Sequence, residues 1–252
     1  MFDRLIPFLT SFTLFISWEL SMFYPYYFGI IAPVGLVIFF ILLLKLNNFK
    51  VKNKDFWLLL APGLILAVLT TAFLLFLNYN YLRQTVVILT VVANYFFCSY
   101  LYFFWRRITS YTPLSLERAS SYFNALSYIF LGVSLFGFYN LLNFKTWHLA
   151  LIAIGFTFCL TYQFFWINKI NERQNLFASI LISILMAEFF WSIAFFPVSH
   201  FISGLVFAII YYTIINLTLA HFLERIDKKI IRWYLAVGFI CIFVILLSAR
   251  WL

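Results

Sequence analysis

Charge is the scarcest property of this sequence. Asp, Glu, Lys and Arg make up 10% of its 252 residues and hydrophobic residues 65%, whereas a soluble globular domain carries about 25% charged residues. The shortage excludes a water-soluble fold, because no core of this size could hide so much apolar surface. Lipid removes the difficulty, since hydrocarbon itself solvates apolar side chains. Cysteine is scarce as well. Cys98, Cys159 and Cys241 each fall inside an apolar run with no second Cys or His at ligand spacing, which excludes a disulfide framework and a zinc site. There is no Gly-rich phosphate loop, no His-Glu-x-x-His motif, no Ser/His/Asp set and no pair of aspartates suited to intramembrane proteolysis or prenyl transfer. No cofactor and no metal is expected, and a non-enzymatic role is favoured over an enzymatic one.

The charge that is present is mostly positive, giving a net +9. The cations sit in short segments between hydrophobic runs, not on one face, so they read as topology determinants and exclude nucleic acid as a partner.

What the sequence has in abundance is long apolar stretches. A span of a ~30 Å hydrocarbon layer needs about 17 to 25 residues at 1.5 Å rise. Nine runs fit: residues 5–23, 28–44, 56–77, 85–105, 122–142, 148–167, 176–196, 201–220 and 233–250. None alternates polar with apolar residues as barrel strands do, and helices are the remaining way to satisfy a backbone in lipid. The first run is followed by Glu19-Leu20-Ser21-Met22-Phe23, which lacks an Ala-x-Ala-like cleavage site, so it is expected to stay as a membrane helix. The chain is thus expected to be an all-α, polytopic bundle of about nine helices forming one integral membrane domain, with no soluble domain.

Orientation follows from the cations. With the N-terminus in the cytoplasm, Arg4, then Lys45, Lys50, Lys52 and Lys54, then Arg106, Arg107 and Arg118, then Lys169 and Arg173, and finally Arg225, Lys228, Lys229 and Arg232 all face inward. Only Arg83, Lys145 and Arg250 remain outside. A missed or added helix would scramble this alternation, so the charges support both the count and a C-terminus outside. In the longest connection Thr112-Pro113 reads as an N-cap and first helical position, with Glu117 near the positive helix end. Ile226, Ile230 and Ile231 are expected along the inner interface. The uncharged turns 24–27 and 197–200 must form tight hairpins.

Small residues four apart let helices approach closely in lipid. Gly63, Ala67 and Thr71 form one such stripe, Ser179, Ser183 and Ala187 a second, and Gly204 and Ala208 a third that points on towards Tyr212 and Asn216. They indicate a compact bundle.

Ionisable side chains at membrane depth cost about 2.5 to 3.5 kcal/mol and mark functional sites by default. Glu188 lies ~18 Å into the seventh run and Glu19 ~21 Å into the first, both in the outer half of the bilayer. Trp191 stands one turn from Glu188, and Trp18 precedes Glu19. Should their helices touch, the two carboxylates would form a coupled pair that shares a proton or binds a cation. His200, with His148 and Arg83, would line a polar mouth above them, and His221 lies on the opposite side. Tyr212, Asn216, Asn94 and Gln163 are neutral polar groups at depth, suited to hydrogen bonds across helices. The ligand-binding candidates are therefore Glu188, Glu19, Trp191, His200 and Tyr212.

Ala187-Glu188-Phe189-Phe190-Trp191, then Phe196-Pro197, Gly204, Tyr211-Tyr212 and Ala249-Arg250-Trp251 resemble uncharacterised multi-pass membrane proteins of small-genome bacteria. The resemblance covers the last quarter of the chain. It implies a bacterial plasma (inner) membrane and brings no activity. Three roles are consistent with these features: a carrier or receptor for a small solute or lipid with a polar site in the outer half of the bilayer, a non-catalytic scaffold or subunit, and an enzyme acting on a lipid-linked substrate. The expected partners are membrane lipid and either another membrane protein or a second copy of the chain.

Overall fold

The computed structural model describes residues 5–46, 54–106, 115–224 and 227–249. Among these residues it is almost wholly helical and holds nine long helices: α1 Ile6–Phe23, α2 Phe28–Leu46, α3 Lys54–Leu74, α4 Asn80–Arg106, α5 Ser115–Leu142, α6 Thr146–Ile167, α7 Glu172–Ala194, α8 His200–Phe222 and α9 Lys228–Leu247. All nine are long and apolar enough to cross a membrane. Arg4, Lys50, Lys52, Arg107, Thr112, Pro113, Arg225, Ile226, Arg250 and Trp251 lie outside the described residues.

Polarity is arranged opposite to a water-soluble protein. On α1, Thr10, Ser11, Ser17 and Ser21 are buried, while Phe8, Leu9, Phe12, Ile16 and Leu20 are exposed. On α7, Asn175, Ser179 and Ser183 are buried and Leu176, Phe177, Ile180, Leu181 and Ile184 are exposed. In water, such apolar faces would associate or aggregate. In hydrocarbon they are solvated, and the inward hydroxyls find partners on neighbouring helices or on their own carbonyls. This distribution and the nine apolar spans mark a multi-pass membrane protein.

Several helices extend past the apolar run that predicted them. α4 begins at Asn80, because a helix that leaves the hydrocarbon can continue through polar residues once its first turn is satisfied; α5 is described from Ser115, and the start read at Thr112-Pro113 lies outside the described residues. α7 shows how: Asn171 caps it by accepting the Arg173 N–H at 3.1 Å, and Glu172 sits in the first turn, where a negative charge meets the helix dipole. Ile230 and Ile231 belong to the first turn of α9 and are part-buried. The two expected hairpins are present: a single 3₁₀ turn, Pro25–Tyr27, joins α1 to α2, and residues 195–199 join α7 to α8.

The chain divides into two compact units, Met1–Phe123 and Asn124–Leu252. In the first, α1 packs on α2 and α4, and α3 packs on α4 and α2. Gly35 of α2 lies so close to Ser17 of α1 that a Cβ would collide with its side chain, and Ser17 Oγ donates to the Ile31 carbonyl at 3.2 Å. The Trp18 side chain is fully buried, its Nε1 donating to Thr71 Oγ1 at 3.0 Å. Gly63 meets the Phe97 ring.

In the second unit α6 packs on α7, α7 on α8 and α8 on α9. α5 meets α8 at Gly132 and Gly204, where the two backbones leave no room for a Cβ on either. An aromatic core of Tyr128, Phe136, Phe190, Phe207 and Tyr211 fills the space around this crossing. α9 packs on α8 but is mostly exposed, with Gly238 as its one buried residue. Gly238 seats against Thr213 of α8.

Candidate functional site

Of the two membrane-depth carboxylates, Glu19 belongs to the first unit. It is half-buried, and its Oε2 accepts from Gln84 Nε2 at 3.1 Å. Its Oε1 is buried with no hydrogen-bond partner. Glu188 belongs to the second unit and is exposed on α7. Its neighbour one turn on, Trp191, is 50% exposed, and the Ser192 hydroxyl is tied back to the Glu188 carbonyl at 2.9 Å. The seventh helix thus turns this pair outward from the chain.

His200 begins α8. It is half-buried and its ring lies 4.3 Å from that of Phe201. With Tyr139, Asn140, Asn143 and Ser199 it lines a cavity of about 530 Å³ at the end of the unit where the α5–α6 and α7–α8 turns lie. Its walls carry a larger polar share than those of the cavities along α8 and α9.

Tyr212 lies elsewhere. It is the thirteenth residue of α8, ~18 Å along the helix from His200, and it lines a second cavity of about 510 Å³ between α5, α8 and α9. Its base is formed by Tyr128 and Tyr211, whose rings stack at 3.5 Å and 3°. The Tyr128 hydroxyl pairs with Thr157 Oγ1 at 3.0 Å and the Tyr211 hydroxyl with Thr161 at 3.4 Å, so α6 holds both rings from behind. The α9 wall carries Trp233, Tyr234 and Cys241. Tyr212 and Trp233 are 54% and 64% exposed, so the cavity opens sideways at mid-helix, not at either helix end. Its size lies within the ~300 to 1,000 Å³ of small-molecule sites, and its mainly apolar lining with a few hydroxyls is their usual chemistry.

Residues 68–248 match the model of a family described as proteins of unknown function, DUF5656. The chain belongs to the DUF5656 family. No curated protein and no solved structure matches it. The DUF5656 region takes in Glu188, Trp191, His200, Tyr212 and the whole lining of the α5–α8–α9 cavity, and leaves Glu19 outside.

The candidates of the second unit do not converge on one cavity. Within the second unit Glu188 and Trp191 face outward, His200 lines the end cavity and Tyr212 lines the mid-helix one. The third small-residue stripe also turns. Gly204 and Ala208 are buried, but the buried face continues to Tyr211 and Ile215, leaving Tyr212 exposed, because steps of four residues drift ~40° per step on a 3.6-residue helix. Sequence reasoning missed Tyr128, Trp233 and Tyr234 as site residues. It also missed Asn124, whose Nδ2 donates to Gln163 Oε1 at 2.6 Å in the buried core. The available signal was Gly238, the lone glycine of the last run, which marks where α9 touches α8.

Proposed function

We infer that this protein is a receptor or carrier for a small lipophilic solute, which it holds in the cavity between α5, α8 and α9. The observation carrying this reading is the cavity itself: about 510 Å³, opening sideways at mid-helix beside the exposed Tyr212 and Trp233. A solute dissolved in the bilayer reaches such an opening without crossing water. Hydroxyls of Tyr212 and Tyr234 and the Trp233 indole provide the few polar contacts that orient an otherwise apolar ligand. The reading puts the N-terminus in the cytoplasm and the chain in a bacterial plasma membrane, supported by the sidedness of the cations and by the resemblance of the C-terminal quarter.

The test is mass spectrometry of apolar compounds that co-purify with the full chain and with the cavity-filling variant Ala208→Trp. The wild type is expected to retain a compound in near-equimolar amount and the variant to lose at least 90% of it, with the melting temperature of the unliganded protein monitored alongside. Equal retention by both, or no retained compound in the wild type, contradicts the reading.

A second reading is favoured by Glu188. A carboxylate exposed from the chain on a membrane helix, beside an exposed Trp191, finds no solvation in lipid tails. A partner helix bringing a hydrogen-bond donor or a cation satisfies it, whether from another membrane protein or from a second copy. Replacing Glu188 with Leu should then weaken the association at least tenfold in a detergent pull-down, whereas Glu188→Gln, which keeps hydrogen-bonding capacity, retains most of it. Equal association for wild type and both variants contradicts this role.

A further inference from the structure

α9 touches α8 at Gly238 and Thr213, and the lipophile cavity occupies only one side of that seam. On the other side a groove of about 930 Å³ runs between α8 and α9, with Phe189 of α7 on its wall. Along α9 its lining extends from Lys228 to Ile242, a length of ~21 Å at helical rise, which exceeds half of a ~30 Å hydrocarbon core. Its body is aliphatic and aromatic: Ile210 and Ile214 on one wall, Leu235 and Phe239 on the other.

The groove is polarised. Among the described residues, its charged lining residues are Lys228 and Arg232, together at the N-terminal end of α9. Spaced four apart, they share one helix face, and both are exposed. That end is also the positive end of the α9 dipole, and the N-cap residue Asp227 makes no side-chain hydrogen bond to the first turn, leaving first-turn amides available to an anion. Glu224 and Asp227 are exposed nearby but do not line the groove.

We propose that this groove is a binding site for an anionic glycerophospholipid, with its phosphate between Lys228 and Arg232 and one acyl chain laid along Leu235, Phe239 and Ile242. The shape selects an acyl chain because the apolar part is one long trough open to the bilayer. The paired cations select net negative charge: a choline headgroup would bring its own cation against Lys228 and Arg232, whereas a glycerol headgroup brings none. A basic residue near an anionic lipid surface contributes roughly fivefold in affinity, so two predict a preference of about 30-fold. The site is independent of the lipophile cavity, from which the α8–α9 seam separates it.

The experiment is native mass spectrometry of the full chain in detergent, titrated with an equimolar mixture of phosphatidylglycerol and phosphatidylcholine of matched acyl chains. Wild type is expected to bind one phosphatidylglycerol about 30-fold in preference to phosphatidylcholine. The K228Q/R232Q variant should lose that preference, and Ala236→Trp, which fills the trough, should lose both lipids. Inorganic phosphate should not displace the lipid. Equal binding of the two lipids by wild type, a preference that survives K228Q/R232Q, unaltered binding by Ala236→Trp, displacement by inorganic phosphate, or a dimer whose second copy blocks lipid uptake would each overturn the proposal. A melting temperature of each variant in lipid-free detergent matching wild type separates loss of the site from loss of the fold.

Discussion

At Gly204 the carbonyl of α8 lies where any side chain on Gly132 of α5 would begin, and a Cβ on Gly204 itself would meet the Val133 backbone. Backbone cannot move aside as a flexible side chain can, so Gly204→Ala should destabilise the protein by about 2 kcal/mol, within the range for overpacked cores. Gly155 on α6 gives the contrast. It is exposed and a Cβ there meets nothing, so Gly155→Ala should be neutral or stabilising by about 0.5 kcal/mol through helix propensity. Thermal unfolding in detergent, followed by circular dichroism, checks both. Gly204 was legible as a packing residue from its spacing to Ala208. The site residues around it were less so. With 35 Phe, 16 Tyr and 8 Trp in the chain, an aromatic residue carries little information by itself, and Tyr128 is distinguished by tertiary contacts alone, its stacking on Tyr211 and Phe207 and its hydroxyl on Thr157. Glu188 was conspicuous for the opposite reason: charge is rare here. Rarity draws attention to a residue without saying which way its helix turns it.

At the scale of elements, helix ends were harder to read than helix interiors. Apolar runs record where hydrocarbon solvates the chain, whereas a helix ends where its backbone groups run out of partners. α4 therefore starts several residues before its apolar run. The C-terminal ends of α5, α6 and α8 are closed by left-handed residues, Asn143 with φ 52°, Lys169 with φ 61° and Glu224 with φ 54°. The Phe144 N–H reaches back to the Phe138 carbonyl at 3.2 Å and the Ile170 N–H to Phe165 at 3.1 Å, the bonds that end a helix in this conformation. Asn tolerates it, but Lys and Glu carry a Cβ penalty of about 1 kcal/mol. Lys169→Gly and Glu224→Gly should therefore each stabilise by about 0.5 kcal/mol after the entropy that Gly loses on folding, while Asn143→Gly changes little. Chemical unfolding of the three variants side by side would show this order.

On the scale of the molecule, the nine spans and the all-helical fold were fully legible, because length and hydropathy answer directly to bilayer thickness. The reversed polarity of α1 and α7 is what the physics adds: hydroxyls and amides inside, Phe, Leu and Ile outside. Which helices meet could not be read from the runs, since most lipid-facing and helix-facing positions are both apolar and small or polar residues mark a contact face without naming the helix it meets. Hence α9, the second most hydropathic span after α2, gave no sign that it would be the least buried helix and would border two cavities.

In a nine-span membrane protein, alternate connections lie on opposite faces of the membrane. Single cysteines placed at Tyr26, Asn78, Asn143, Ser199, Lys169 and Glu224 in a chain whose three native cysteines are replaced, and probed in intact cells with an impermeant maleimide, test this directly. The first four should label from outside, and Lys169→Cys and Glu224→Cys only after the membrane is opened. Labelling of both groups from the same side, or no division between them, would contradict it.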